Sequence, residues 1–364
     1  MPPRFAISLL GVLLVAVALA RLSPAPAPPV QAATPPPEIV VLGVGDILLG
    51  RQLGEEMAKT ENYALAFRDI RETLAAADIT FGNLEGPFCD QGPYPANGMI
   101  FRFRPAAVAS LMRAGFDVVS VANNHFGDGG DACMEFSLNH LRQSRIAAVG
   151  AGPSFEEAHT AAILGRKGIR FAFLAYTYAA RNDQLRGKGV VVAGRNAEQV
   201  RRDVAAARER ADVVIVSLHD GAEYTQRVAK ETEDFAHAAM EAGATAVFGH
   251  HPHVPQRVEA YRDGWIFYSL GNFVFQQNSP PATRTGLMAR LTFAGRDLIR
   301  VEAVPAVIEW FAQPRLATEE ETAAILRSVG LENATLWAAS SAVADTLTAG
   351  PEPERFRAGQ PTGK

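Results

Sequence analysis

From Glu38 onward, short apolar β-rich runs alternate with helical patterns, and that alternation restricts the chain to an α/β architecture. Residues 39–46, 78–83, 117–122, 171–176, 212–218 and 246–249 read as strands. Residues 62–76 read as a helix with Leu65, Ile70 and Leu74 near one face, and 105–114 as a helix with Pro105 in its first turn. Met134, Leu138 and Leu141 mark another. Asn196 is suited to cap a helix through Val200 and Val204, with Gln199 completing a capping-box pattern. Gly243 closes a helix over 232–242. After it, 265–268, 286–293 and 298–308 leave no room for helices and read as an antiparallel set. Residues 318–347 look helical and Ala-rich, and the segment after Ala349 reads as a disordered tail.

The first 37 residues stand apart from this pattern. Arg4 precedes an almost unbroken apolar run from Phe5 to Ala20. At 1–21 this is a signal peptide or an uncleaved membrane anchor, and either sends the rest of the chain across a membrane. Residues 22–37, rich in Pro and Ala, read as a semi-rigid spacer. The expected folded domain covers 38–310, followed by a helical extension over 311–348 and a tail over 349–364. Hydrophobic residues make up 48% of the chain, enough for a packed core, and the net charge of −4 shows no basic face for nucleic acid. Cys89 and Cys133 could form one bridge, but nothing in the sequence brings them together, and free thiols are the expectation.

The strand ends carry the polar residues. They are Asp46; Asn83 and Glu85; Asn123, Asn124 and His125, with Asp128 beyond; His219 and Asp220, with Glu223 near; and His250, His251 and His253. In open α/β sheets ligands bind at the carboxyl ends of strands. If these strands are neighbours in one sheet, the groups converge on one edge. Taken singly, Asp46 reads as a cap, Asn123-Asn124 as a turn and His219 as a core histidine. Their recurrence at five strand ends points instead to a metal-dependent hydrolase. Asp, Glu, Asn and His suit Mn, Zn or Fe, and no Cys spacing indicates a structural zinc site. The number of donors exceeds one tetrahedral site and suits two divalent ions about 3.5–4 Å apart, bridged by one carboxylate.

Six segments occur in order: GVGDILLGR (43–51), GNLEGP (82–87), VANNHFGDGG (121–130), HDGAEY (219–224), GHHPHV (249–254) and YSLGNFVF (268–275). Together they resemble the CapA family of poly-γ-glutamate capsule synthesis proteins, which is similar to the calcineurin-like metallophosphoesterases. The resemblance covers about 38–310. It implies a four-layer sandwich of two mixed β-sheets flanked by helices. It also implies roles: Asp46 and His253 at a first metal, Glu85 bridging, and Asn124, His219 and His251 at a second. His125 would be the general acid, oriented by Asp128, and His250 a supporting group. Asn83, Arg51 and Glu223 are candidates for contacts to substrate, and Asn272 for support of the site through hydrogen bonds. One position departs from the phosphoesterase pattern: Leu48 stands where a ligand His is expected, two residues after Asp46.

These features lead to an extracytoplasmic, secreted, periplasmic or membrane-anchored protein of polyglutamate capsule biosynthesis. Its expected activity is metal-dependent hydrolysis of a phosphoester or other anionic bond. The alternative is a non-catalytic, metal-bearing component of a polymer synthesis and export complex that binds the anionic polymer. Partners expected on either reading are an anionic substrate or polymer and other polymer-synthesis membrane proteins.

Overall fold

The first apolar run forms β1 (Glu38–Ile47), whose side chains alternate between two interiors. Ile39 and Val41 face a second sheet, whereas Leu42 and Val44 face helices. The computed structural model describes residues 36–178, 189–277, 279–309 and 312–338. The expected signal or anchor segment, nearly all of the spacer, residues 339–348 and the tail lie outside the described residues. Among the described residues, no helix is long and apolar enough to cross a membrane.

β1 lies between β2 (Ile79–Leu84), which is parallel to it, and β14 (Thr285–Ala294), which is antiparallel. β3 (Val118–Ser120) and β4 (Ala147–Val149) extend the parallel side. β15 (Asp297–Glu309) and β16 (Gln313–Leu316) extend the other, with β13 (Asn272–Val274) on the end of β1 and β17 (Thr335–Ala338) on β15. The second sheet runs β11 (Val258–Tyr261), β12 (Gly264–Phe267), β10 (Ala246–His250), β9 (Val213–His219), β7 (Ile169–Thr177), β6 (Ala162–Arg166). A short pair, β5 (Ala151–Gly152) and β8 (Val191–Val192), stands apart.

The two sheets pack face to face through Phe81, Phe171, Phe173, Ile215, Phe248 and Phe293, with the Phe81 and Phe173 rings stacked at 5.8 Å. Helices cover both outer faces. α1 (Arg51–Thr60), α2 (Arg71–Ala75), α3 (Val108–Ala114) and α4 (Gly130–Gln143) pack on the first sheet. The short α5 (Phe155–Ala158), α6 (Ala197–Arg208) and α7 (Lys230–Glu241) pack on the second. This is the α–β–β–α sandwich that the family resemblance implies. Gly43 is required at its middle, because a Cβ there would lie 2.5 Å from the Phe248 ring of the facing sheet.

Several expectations need correction. α1 carries no strong sequence signal, since no side chain caps it and it starts at Arg51 with a left-handed φ of 51°. The helix expected over 62–76 is broken into a 3-10 turn (Leu65–Phe67) and α2. Packing of Phe67 against Phe116 and Phe273, with ring centroids 5.1 and 6.3 Å apart, takes precedence over helical continuity. The last strands are not one antiparallel set, because β12 joins the second sheet parallel to β10. Among the described residues, the C-terminal segment is helical only over α8 (Glu319–Ser328), and Gly330, with φ 79°, precedes the return as strand β17. Asn196 caps α6 as expected, but the Gln199 side chain bonds Asp203 instead of closing a capping box. Cys89 and Cys133 form a disulfide with Cα atoms 4.6 Å apart. It ties the loop after β2 to the first turn of α4.

Phe248→Ala should cost about 3–5 kcal/mol in urea denaturation, the range for removing a buried Phe. Gly43→Ala should also destabilise by crowding Phe248. The double variant should recover part of that second loss, a coupling that a thermodynamic cycle reads directly.

Candidate metal centre

Parallel pairing brings the ends of β1, β2 and β3 to one side of the first sheet, and those of β9 and β10 to the same side of the second. The five strand ends are therefore divided three and two between facing sheets, rather than lying along one edge. They still meet, and hydrogen bonds join them across the interface. Asn83 Nδ2 donates to Asp46 Oδ1 at 2.8 Å and to His219 Nδ1 at 3.2 Å. His219 Nε2 donates to Asn124 Oδ1 at 2.8 Å, and the His251 N–H donates to Asp46 Oδ2 at 3.3 Å. Asn123 Nδ2 holds Asn83 Oδ1 at 3.2 Å and the Leu84 carbonyl at 2.9 Å.

Asp46 and Glu85 are both 0% exposed, and their oxygens lie with a His253 nitrogen in a group spanning no more than 4.8 Å. Neither Glu85 oxygen has a hydrogen-bond partner within the protein, nor does Nδ1 of the buried His251. Buried carboxylates without partners are expensive, and the donors present suit a divalent cation. The titrations reflect the same crowding. Burial together with the neighbouring Asp46 pushes the Glu85 carboxyl well above the usual range. Burial opposes ionisation of Asp46 too, but His250 and His253 hold it well below the ordinary value. Burial works against the charged His253 ring, yet Glu85 and Asp46 outweigh it and raise its pKa to about 9. Burial and His253 lower His251 to about 4, and burial and His251 lower His219.

The turn that carries the histidines is strained. His251 and His253 have φ of 96° and 58°, on either side of Pro252, a backbone conformation unfavourable to both. His250 lies beneath Asp46, with Nδ1 3.3 Å from Oδ1 but not aligned as a hydrogen bond, at the top of the inter-sheet core beside Phe81. His253 Nδ1 is 2.9 Å from Asn272 Oδ1, and Asn272 is itself held by its Nδ2 donating to the Thr283 carbonyl at 2.9 Å. Leu48 turns away into the helix-side core, and its N–H donates to the Val274 carbonyl at 2.7 Å.

Beside the cluster, His125 Nδ1 bonds Asp128 Oδ2 at 2.7 Å. The same oxygen accepts the Phe101 N–H at 2.7 Å, and the Phe101 ring stacks on the imidazole at 3.8 Å. Arg51 lies 4.6 Å over the other part of this stack, the Phe101 ring, with its guanidinium donating to the Gly98 and Gln276 carbonyls. Those bonds commit most of its donors to protein. Glu223 offers an oxygen to the same space as His251 and His253. Phe101 and Tyr178, whose ring lies 4.8 Å from His251, are site residues absent from the sequence expectations, whereas Asn123 is one of the polar strand ends. The Phe101-Arg102-Phe103 alternation was the available signal for the first.

A family model described as "Bacterial capsule synthesis protein PGA_cap" matches residues 40–277. The chain belongs to this family. It is 31% identical over 263 residues to the "Capsule biosynthesis protein CapA" of Bacillus anthracis, covering 70% of this chain and 63% of that protein. It is 31% identical over 244 residues to the "PGA biosynthesis protein CapA" of Bacillus subtilis, covering 64% and 62%. The chain thus spans less than two thirds of the length of either relative. Among solved structures, it resembles the calcineurin-like phosphoesterase YfkN of Bacillus subtilis at a TM-score of 0.40 and 14% identity, over 86% of this chain and 96% of that one.

A pH prediction follows for the metal-free protein. His253 and Glu85 both have raised pKa values, so their contributions are present at low pH and lost as pH rises. For His253 the loss begins above 6.5 and continues through about 9. His251, lowered to about 4, works in the opposite direction and loses its contribution as pH falls below 6.5. In excess chelator, thermal melts should therefore show a maximum near pH 6.5 and a steady fall toward pH 9. Saturating Mn²⁺ should flatten the alkaline side, because a cation replaces the proton between the carboxylates.

Proposed function

We propose that this protein is an extracytoplasmic, metal-dependent hydrolase that cleaves a phosphoester or another anionic bond during assembly of a polyglutamate capsule. The observation that carries this reading is the fully buried Glu85 carboxylate, without a hydrogen-bond partner in the protein and facing Asp46 and His253, with a His125–Asp128 pair alongside. Asp46, Glu85 and His253 would hold one Mn, Zn or Fe ion, and Glu85, Asn124, His219 and His251 the other. When bound, such ions lower the pKa of a coordinated water and neutralise charge on a phosphoryl group.

The remaining work falls to the chain's own residues. Asp128 holds the His125 ring through Nδ1, which reserves Nε2 for proton transfer to a leaving oxygen. Phe101 covers one face of that ring and fixes the Asp128 carboxylate from its backbone, so the pair is set before substrate arrives. Asn83 and Asn123 keep the strand ends of the two sheets in register.

The extracytoplasmic assignment draws on the Cys89–Cys133 bridge, since disulfides persist in oxidising compartments, and on the apolar N-terminal segment. The names of the Bacillus relatives supply the capsule context. Leu48 favours a second reading. With an apolar residue at a ligand position, the pocket could bind anionic polymer within a membrane-bound synthesis complex without catalysing its cleavage.

Metal analysis of the purified full chain should find about two equivalents of Mn, Zn or Fe, lost in Asp46→Asn and His251→Ala. With Mn²⁺ added, hydrolysis of an aryl phosphodiester should fall by about 10²–10⁴-fold in His125→Ala, the span typical of a lost proton-transfer group. Equal rates in wild type and His125→Ala would favour the binding reading. No metal uptake after reconstitution would remove both.

A further inference from the structure

The cluster carries two donor groups that share His253. One is Asp46, Glu85 and His253, and the other is Glu223, His251 and His253, each with ligand atoms within 4.8 Å of one another. The second group includes His251, whose buried Nδ1 has no hydrogen-bond partner. It also has the composition of a metal site, with one carboxylate and two imidazoles. In the first group a donor is missing, because Leu48 packs in the helix-side core where the phosphoesterase pattern places a histidine.

The backbone holds Glu223 next to these histidines. The loop after β9 lies directly on the turn after β10. The Asp220 N–H donates to the His250 carbonyl at 3.0 Å and the Tyr224 N–H to the Pro252 carbonyl at 2.9 Å. Tyr224 is in the left-handed region, with φ 61°, and its ring stacks with His253 at 6.0 Å. Gln277 Nε2 donates to the Tyr224 hydroxyl at 2.9 Å, which secures the far end of the side chain. The loop has two carboxylates. Asp220 is committed to Arg195 and to Thr232 Oγ1, the latter at 2.8 Å. Glu223 is the one presented to the histidines.

We propose that Glu223 is a metal ligand of this centre, supplying from the second sheet the donor that Leu48 withholds in the first. The proposal rests on the dinuclear reading above and adds one residue to it. A carboxylate at this place gives the site an oxygen donor on an exposed side chain where the wider pattern has an imidazole. A hard ion such as Mn²⁺ is favoured by that exchange.

The test titrates the full-length protein, stripped with chelator, with Mn²⁺ alone, and reads stoichiometry and affinity by calorimetry and by Mn²⁺ paramagnetic resonance. Wild type should take up two ions. Glu223→Gln should retain one tightly and bind the second at least tenfold more weakly, and Glu223→Asp should recover part of the loss. Glu231→Gln, an exposed carboxylate on α7, should match wild type. Because Glu223 is exposed, the chelator-treated variants should melt where wild type does, and any lost affinity then reports the ligand alone. Two ions bound to Glu223→Gln with wild-type affinity overturn the proposal and leave the dinuclear reading intact. A wild type that takes up no Mn²⁺ overturns both.

Discussion

Two carboxylates taken out of water within ligand reach of each other set the terms for the rest of this structure. Asp46 and Glu85 end adjacent parallel strands, so the register of β1 on β2 forces them together. Their charges cannot both persist there without cations, because burial raises the cost of each and each raises the cost of the other. The surroundings answer that demand. His250 lies beneath Asp46, His253 faces both carboxylates, and Asn83 holds Asp46 while reaching across to the second sheet. The strained turn around Pro252 is explained the same way. Two histidines in the left-handed region are costly, and the turn brings both rings to one small volume.

Strands that are continuous apolar runs were legible in the sequence, because a buried parallel strand needs apolar residues on both faces and few other structures do. The polar ends of those strands were legible for the same reason, as breaks in the runs. What could not be read depended on contacts distant in sequence. β1, β2 and β3 belong to one sheet and β9 and β10 to the other, and no local pattern distinguishes that from a single sheet. The helix over 62–76 failed because Phe67 packs with Phe116 and Phe273, partners some 50 and 200 residues away. The disulfide failed because a separation of 44 residues contains no information on whether Cys89 and Cys133 meet. Phe101 carries no polar or strand-end mark, because its role is to cover a ring on another loop.

The loop between β2 and α3 connects these observations. It is anchored to α4 by the disulfide and by the Phe88 N–H donating to Ser137 Oγ at 2.8 Å. Arg102 donates to Cys89 Sγ and to the Gln91 carbonyl, and the next residue back is Phe101. A buried covalent link is thereby only a few bonds from the imidazole beside the carboxylates.

The division of the ligands between two sheets has a mechanical consequence. Between those sheets lies hydrocarbon, which resists separation well but resists sliding poorly, since apolar contact has little directional preference. At one end of that slippery interface, Asp46 and Glu85 face His219, His251 and His253 from the opposite layer. A cation held by both sides would be a clasp across the seam. Its affinity would include the work of aligning the two layers, so that ligand spacing and layer alignment would form one linked equilibrium.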